Sequence, residues 1–312
     1  MKYIKNFALH KFNICINTNS HFIAKLATEQ LNLTNKLYKT KNLTTINFEL
    51  EETNALPFNR SDGFNTKEKD LILDCWLKNI DVRAYPNSNL IKGKFLIPST
   101  LSNEAIFDLL ILHPLRHILK YKNVFLIHAA ALVKNNSGIL ICGHFKSGKS
   151  TMAVKLAENG LGFLSDEFVI YDKGELFAFP LKIGLEENSI KLFPFLKSLK
   201  KSNIGKQEKI SFDIIKYFPS CYVQSCKPKI IIFPVSKDKA GKVTLKPMNS
   251  ETAFSLLCMD KDCSLSFEKN IAIRQKQIQV LAKLAEDTKS YYLSYSLDKI
   301  DEAAAIIKNL AP

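Results

Sequence analysis

Apolar and polar residues alternate with a period of two along several short segments of the first hundred residues, and this alternation predicts half-buried strands. The clearest case is residues 11–17, where every second side chain is apolar. Helical spacing predicts a helix over His21–Leu31, and the Asn-, Pro-, Gly- and charge-rich residues 52–69 predict a loop. Further strands are predicted at residues 44–50, 71–77, 81–85 and 92–97. The pattern therefore predicts a small N-terminal α/β module, residues 1–98.

Beyond residue 98 the pattern changes to longer helical stretches and continuous apolar runs. A helix is predicted to begin at Ser102, whose hydroxyl can cap it, and Pro114 predicts a break in that helix. Short apolar runs predict buried strands on either side of a hairpin turn at residues 134–138. The predicted strands are residues 124–128, 131–133, 138–142, 163–171 and 230–234, and the later helices are residues 149–159, 271–285 and 297–310. Residues 99–312 are thus predicted to form a larger α/β domain.

The charge of the chain changes this picture little. A formal net charge of +14 favours nucleic-acid binding at first sight. However, only four residues are arginine, which is the side chain preferred for reading base edges and clamping phosphates, and the lysines are spread over the whole length. Nucleic acid is therefore not an expected partner, and an apolar fraction of 46% is typical of an ordinary globular protein.

Neither a membrane span nor a secretory signal is predicted. No apolar run approaches the length that a bilayer requires, and the first residues are polar and charged. The seven cysteines are odd in number, which favours a reduced, cytoplasmic compartment. The pairs Cys221/Cys226 and Cys258/Cys263 are spaced more widely than usual zinc ligands, so free thiols are expected.

The motif with the clearest chemistry occupies residues 143–150, which match G-x-x-x-x-G-K-[ST] at every fixed position. In such a P-loop the glycines let successive backbone N–H groups point into one concavity, at the positive end of the following helix. Lys149 would reach the β and γ phosphates, and the Ser150 hydroxyl would bind magnesium, so ATP and Mg²⁺ are the expected cofactors. The predicted nucleotide-binding residues are Gly143, His144, Phe145, Lys146, Ser147, Gly148, Lys149, Ser150 and Thr151.

Two adjacent acids, Asp166 and Glu167, interrupt the apolar strand predicted after the P-loop helix. Burying two carboxylates is costly unless a cation lies nearby, and magnesium together with Lys149 would supply one. In a P-loop site such an acid either holds the metal or accepts the proton of an attacking hydroxyl. The predicted metal ligands are therefore Ser150, Asp166 and Glu167.

From about residue 100 the chain resembles the HPr kinase/phosphorylase family, and more closely its divergent kinase-like relatives. The resemblance rests on Ile127-His128-Ala129, on a P-loop that begins fifteen residues after His128, and on Asp166-Glu167, seventeen residues after Lys149. It implies a domain related to phosphoenolpyruvate carboxykinase, with mixed β-sheets and C-terminal helices, and an ATP-dependent serine kinase of bacterial type. It further implies that Asp166 is the general base, that Glu167 assists the metal or orients Lys149, and that His128 lies near the γ phosphate.

The chain also departs from that family. Glu167 stands where the family usually has aspartate, and the family's Arg-Gly-Leu-Gly signature and arginine-rich C-terminal motif are absent. Either Lys182 or Glu186 could replace the signature, and the sequence leaves the choice open. HPr itself and the phosphorolytic reaction are therefore not expected.

Divergent relatives are similar to enzymes that phosphorylate serine in a peptide or protein, so the expected partner is such a substrate, with the N-terminal module as its candidate binding surface. Family members are often oligomeric, and a homo-oligomer is a further expectation. Two alternatives stay open: a small-molecule or carboxykinase-like phosphotransferase, and a non-catalytic ATP-sensing module.

Overall fold

The structure is a computed structural model of the 312-residue chain, and it describes residues 1–39, 43–54, 63–67, 72–77, 80–97, 101–144, 146–199, 209–237, 242–260, 268 and 270–311. The strands are β1 (Tyr3–Leu9), β2 (Phe12–Thr18), β3 (Thr44–Glu52), β4 (Gly63–Lys67), β5 (Ile72–Leu77), β6 (Ile80–Tyr85), β7 (Leu90–Phe95), β8 (Phe125–His128), β9 (Ala130–Lys134), β10 (Ser137–Ile141), β11 (Gly162–Ser165), β12 (Phe168–Asp172), β13 (Glu175–Phe177), β14 (Ile183–Glu186), β15 (Lys209–Phe212), β16 (Ser225–Lys237), β17 (Thr244–Met248) and β18 (Lys289–Ser296). The α-helices are α1 (His21–Leu31), α2 (Thr34–Leu37), α3 (Asn103–Phe107), α4 (His113–Tyr121), α5 (Lys149–Glu158), α6 (Glu187–Ile190), α7 (Ser250–Met259), α8 (Ile271–Glu286) and α9 (Ile300–Leu310).

The chain forms two compact units, and the P-loop lies in the second. The first unit contains Met1–Phe125 and the beginning of α8, and the second contains Leu126 onward with the rest of α8. This division differs from the predicted boundary after residue 98, because α3 and α4 belong to the first unit. Helix α4 packs on β6 and so covers apolar sheet surface that would otherwise face water.

The first unit is built on a seven-stranded sheet in the order β1-β2-β3-β7-β6-β5-β4. Side chains of β2 alternate between buried and half-buried, as the period of two predicted, and α1 packs against β1 and β2. The Ser20 hydroxyl caps α1 by accepting a hydrogen bond from the Ile23 amide at 3.4 Å. Two strands were not predicted. β1 lacks a period-two alternation, since residues 4–6 are exposed and residues 7–9 are buried, and it pairs with β2. β4 lies within residues 52–69, where a loop was predicted, and it pairs with β5.

The helix predicted at Ser102 is confirmed, and so is its interruption. The Ser102 hydroxyl accepts a hydrogen bond from the Ala105 amide at 3.2 Å and so caps α3. A π-helical turn, Asp108–Leu112, follows, and Pro114, which has no amide hydrogen to donate, lies in the first turn of α4 directly after it.

The second unit is built on a sheet in the order β11-β9-β10-β16-β13-β12-β8, with β18 paired to β16 and β17 paired to β18. The hairpin between β9 and β10 turns through Asn135 and Asn136, which both have positive φ, as the predicted turn requires. β10 and β12 are buried along their whole length, which explains their continuous apolar sequences. Helix α5 covers this sheet by packing on β9 and α9.

Several elements of the second unit differ from the prediction. The strand predicted over residues 163–171 is two strands, β11 and β12, because the chain bends at Asp166-Glu167. The helix predicted from residue 297 begins as a 3-10 turn, Leu297–Lys299, and α7, β17 and β18 were not predicted. The broad α/β class, with mixed sheets and C-terminal helices, is confirmed. Among the described residues, no helix combines the length and hydrophobicity of a membrane span.

The cysteines of the described chain support the interpretation as free thiols. Cys142, Cys221, Cys226 and Cys258 are free, and Cys142, Cys221 and Cys226 are also buried. Cys263 lies outside the described residues.

Candidate active site

The P-loop connects the buried strand β10 to helix α5, as its motif predicted. Gly143 and Gly148 have φ values of 147° and 91°, in the region that side chains with a Cβ rarely adopt. A Cβ on Gly143 would also lie 3.0 Å from the Ser147 Oγ. Both motif glycines are therefore required by the backbone, and the amides at the start of α5 lie at the cavity. Phe145, one of the predicted binding residues, lies outside the described residues.

The Lys149 ammonium lies against the loop itself. Its Nζ donates hydrogen bonds to the carbonyl oxygens of Gly143 at 2.6 Å and His144 at 3.2 Å. A charged amine on neutral carbonyls is a weaker pairing than the same amine on phosphate oxygens. Lys149 is thus held in the loop by contacts that a phosphate group can replace.

A cavity of about 260 Å³ brings the predicted residues together. This volume is near the lower end for small-molecule sites, which span roughly 300–1,000 Å³. Lys149 and Asp166 both line the cavity, so the carboxylate and the P-loop lysine share one space. The lining residues are His128, Lys146, Ser147, Gly148, Lys149, Ser150, Thr151, Asp166, Glu167, Gly184, Leu185, Glu186, Ser189, Lys209 and Leu297.

Asp166 is the least solvated acid of this cavity. It is 1% exposed, and neither carboxylate oxygen has a hydrogen-bond partner among the described residues. Burial, and secondly the charge of Glu167, raise the pKa of Asp166 to about 7, against the lowering effects of Lys209, of the nearby Ser150 hydroxyl and of Lys149. A buried carboxylate with unsatisfied oxygens is costly, so this position favours a bound cation or a proton.

Glu167 points to a different partner from its neighbour. Its carboxylate lies 3.5 Å from the Lys209 Nζ, and its side chain is 44% exposed. At the bend between β11 and β12 the two acids therefore differ in their surroundings. Asp166 is buried, whereas Glu167 is partly exposed and pairs with Lys209. The resemblance also allowed Glu167 to orient Lys149. The described contacts do not show this role, because Lys149 donates hydrogen bonds to backbone carbonyls and Glu167 pairs with Lys209.

Lys209 was not predicted as a site residue. It begins β15, which pairs with β14, and its side chain packs over Gly184, where an added Cβ would lie 3.0 Å from the Lys209 Cδ. No local pattern predicts its role, because β15 reaches the site through its pairing with β14. Lys209 adds a further cation to the cavity, beside Lys146 and Lys149.

His128 is held by an acid that was also not predicted. Its Nδ1 lies 3.0 Å from both carboxylate oxygens of Asp260, the residue that follows α7. The ring also packs on Phe168, with the ring centroids 5.4 Å apart. His128 therefore enters the cavity as an oriented imidazole.

The residues present fit a magnesium ion that is bound together with phosphates. Ser150 lines the cavity and lowers the pKa of Asp166, whose oxygens lack partners, so a hydroxyl and a carboxylate are close together. No group of three or more His, Cys, Asp or Glu residues in the described chain could hold a metal unaided. Magnesium commonly keeps water and phosphate oxygens as its other ligands, so Ser150 with Asp166 is sufficient. Thr151 also lines the cavity, and its hydroxyl donates to the Ser189 Oγ at 3.0 Å.

Of the two candidates for the missing signature, Glu186 lies at the site. It lines the cavity, and its carboxylate lies 3.6 Å from the Nζ of Lys146, a P-loop residue with a φ of 64°. Lys182 is not among the described residues that line the cavity. Glu186 therefore connects β14 to the P-loop.

Comparison with known proteins adds little to this geometry. No protein-family model matches the chain, and no curated protein sequence matches it. A solved structure of the Hpr(Ser) kinase/phosphatase from Coxiella burnetii aligns with 59% of this chain and 95% of its own, at 13% sequence identity and a TM-score of 0.30. A score of that size does not establish a shared fold. The specific carboxykinase/HPr kinase-like fold therefore stays a prediction from the motifs.

Proposed function

We propose that this chain is an ATP- and magnesium-dependent phosphotransferase. The observation that carries the proposal is the buried carboxylate of Asp166, which accepts no hydrogen bond from the described residues and shares its cavity with Lys149 of a complete P-loop. Nucleotide binding alone does not need such a carboxylate, which is costly in the absence of a ligand. Its presence supports chemistry on the bound phosphate.

In the proposed reaction an acceptor hydroxyl attacks the γ phosphorus in line with the bridging oxygen. The new O–P bond forms as the bond from the γ phosphorus to that oxygen breaks, ADP leaves, and Asp166 takes up the hydroxyl proton. A pKa of about 7 suits a group that must accept and release a proton near neutral pH. Loop amides and Lys149 would hold the phosphates, with Lys149 exchanging its two carbonyl contacts for phosphate oxygens.

Other residues of the cavity would support the phosphates. Ser150 would hold magnesium, which when bound supplies positive charge to the phosphate oxygens. Lys209, which pairs with Glu167, would add a further cation. Catalysis in this scheme consists of positioning and charge neutralisation.

The acceptor we propose is a serine hydroxyl of a peptide or protein. Its support is the resemblance of the His128, P-loop and Asp166-Glu167 spacing to the HPr kinase-like family. Small anionic acceptors usually require several convergent cations with forked geometry, and the described lining contains no arginine. A small-molecule phosphotransferase is therefore the second choice, and a non-catalytic ATP sensor the third.

Incubation of the purified chain with γ-labelled ATP, magnesium and a cell lysate would test this proposal. We expect label in a peptide or protein band that is stable to hydroxylamine and base-labile, as phosphoserine is. Label confined to the small-molecule fraction would support the alternative acceptor. ATP binding by calorimetry without any labelled product would refute phosphotransfer and leave the sensor.

A further inference from the structure

His128 and Asp260 form a close side-chain contact at the edge of the P-loop cavity. The Nδ1 atom of His128 is equidistant, at 3.0 Å, from the two carboxylate oxygens, and both side chains are only 13% exposed. A neutral or protonated imidazole can approach a carboxylate this closely only if its Nδ1 carries hydrogen, because a carboxylate is solely an acceptor. The geometry therefore specifies the protonation of one ring nitrogen.

The position of Asp260 is unfavourable for the helix that carries it. Asp260 is the C-cap of α7, where the partial negative charge of the helix end repels a carboxylate. Its surroundings are also apolar, since a small cavity of about 20 Å³ beside it is lined mainly by the side chains of Leu126, Ile127, Leu256, Leu257 and Leu281. An acid in this place gains nothing from helix capping, and its contact with His128 offsets part of the cost of its burial.

The same imidazole also lines the P-loop cavity with Lys149 and Asp166. Its ring is fixed on a second side by Phe168, so rotation about the side chain is restricted. With Nδ1 engaged by Asp260, Nε2 is the ring nitrogen through which a ligand in the cavity would exchange protons. In proteins, a carboxylate often accepts the hydrogen of one histidine nitrogen. This contact sets the tautomer and the orientation of the ring, and the other nitrogen then faces the ligand.

We propose that Asp260 is a positioning residue, which accepts the Nδ1 hydrogen of His128 and so presents Nε2 to the terminal phosphate of a nucleotide in the P-loop cavity. With Nε2 protonated, the ring donates to a phosphate oxygen while Asp260 balances the charge of the imidazolium. This inference rests on the proposed phosphotransferase function for its kinetic consequence. The tautomer itself is independent of turnover, so the two can fail separately.

The tautomer can be measured in nucleotide-free protein carrying ¹⁵N-labelled histidine. The chain has six histidines, and the His128 signals are assigned by their loss in His128→Gln. For the neutral ring we expect the Nδ1–H tautomer in the parent protein and a shift towards Nε2–H in Asp260→Asn. Asp260→Ala serves as a second variant, and thermal melting verifies that each variant is folded. A parent ring in the Nε2–H form, or an unchanged tautomer in the folded variants, overturns the proposal.

Kinetics test the consequence for the reaction. Asp260→Asn should lower kcat for phosphate transfer roughly 100-fold while the Kd for ATP stays within about threefold, since Nε2 acts on the transferred group. Asp298→Asn makes the same charge change at an exposed residue of the second unit and should alter neither the tautomer nor kcat. A variant with a changed tautomer and an unchanged kcat would count against presentation of Nε2. If the parent protein transfers no phosphate, the proposed function fails and the tautomer measurement still decides the role of Asp260.

Discussion

Replacing Lys149 by methionine is expected to lower phosphate transfer by about 10³-fold or more, because the ammonium is the P-loop cation that stabilises charge on the transferred group. Methionine keeps the length and the apolar stem of lysine but cannot donate to phosphate. In the nucleotide-free protein the change removes, within the described part of the chain, hydrogen bonds to the carbonyl oxygens of Gly143 and His144. Folding should therefore be nearly unaffected. Initial rates with labelled ATP and the melting temperature measure the two effects.

A matched control is available within the same loop. Lys146 also lines the cavity, but its side chain is 58% exposed and pairs with Glu186. Exposed ion pairs contribute little, so Lys146→Met should reduce transfer far less than Lys149→Met. Equal losses in both variants would show that the general positive charge of the loop matters, and would refute a specific role for Lys149.

Asp166→Asn is expected to abolish transfer and, in nucleotide-free protein, to increase stability at neutral pH. Asparagine cannot accept the hydroxyl proton, so kcat should fall by about 10²–10⁴-fold. The stability gain has a separate cause. Folding raises the pKa of Asp166 from 3.8 to about 7, so the unfolded chain ionises this group more readily than the folded one. The resulting penalty, up to about 4 kcal/mol, is absent in the amide variant.

The sign of this effect fixes its pH window. Below about pH 4 the group is protonated in both states and the two proteins should be equally stable. The advantage of Asp166→Asn should grow from about pH 4 to pH 7 and stay constant above. Urea unfolding in chelator at several pH values measures it. Glu167→Gln is the control, because Glu167 is partly exposed and paired with Lys209 and should give no such gain. A variant that is less stable than the parent at about pH 8 would contradict the burial argument.

The same variant separates the two roles considered for Asp166. If Asp166 is the base, Asp166→Asn should bind Mg·ATP within a few-fold of the parent. If Asp166 is mainly a magnesium ligand, ATP affinity should lose its dependence on magnesium. Calorimetric titrations with and without Mg²⁺ distinguish these outcomes, and full transfer activity in Asp166→Asn would exclude the base role.

Local features of the chain could be predicted because the residues that determine them are adjacent. The P-loop needs only eight consecutive residues, whose glycines adopt the predicted backbone angles and whose following segment forms α5. The hairpin at Asn135-Asn136 and the Ser102 cap are similarly local. By contrast, β1 and β4 were not predicted. β1 shows no period-two alternation and β4 has a polar sequence, and both form strands by pairing with β2 and β5.

The sequence alone determined where the phosphate-binding loop lies and which acids follow it, since backbone freedom at glycine and the spacing of charged residues are properties of the chain itself. Only the tertiary structure decided how those groups are used. It buried Asp166 while pairing Glu167 with Lys209, and it brought Asp260 to His128 across 132 residues of sequence. The physical reason is that desolvation and contact between distant residues depend on how strands and helices pack, and no local pattern encodes that packing.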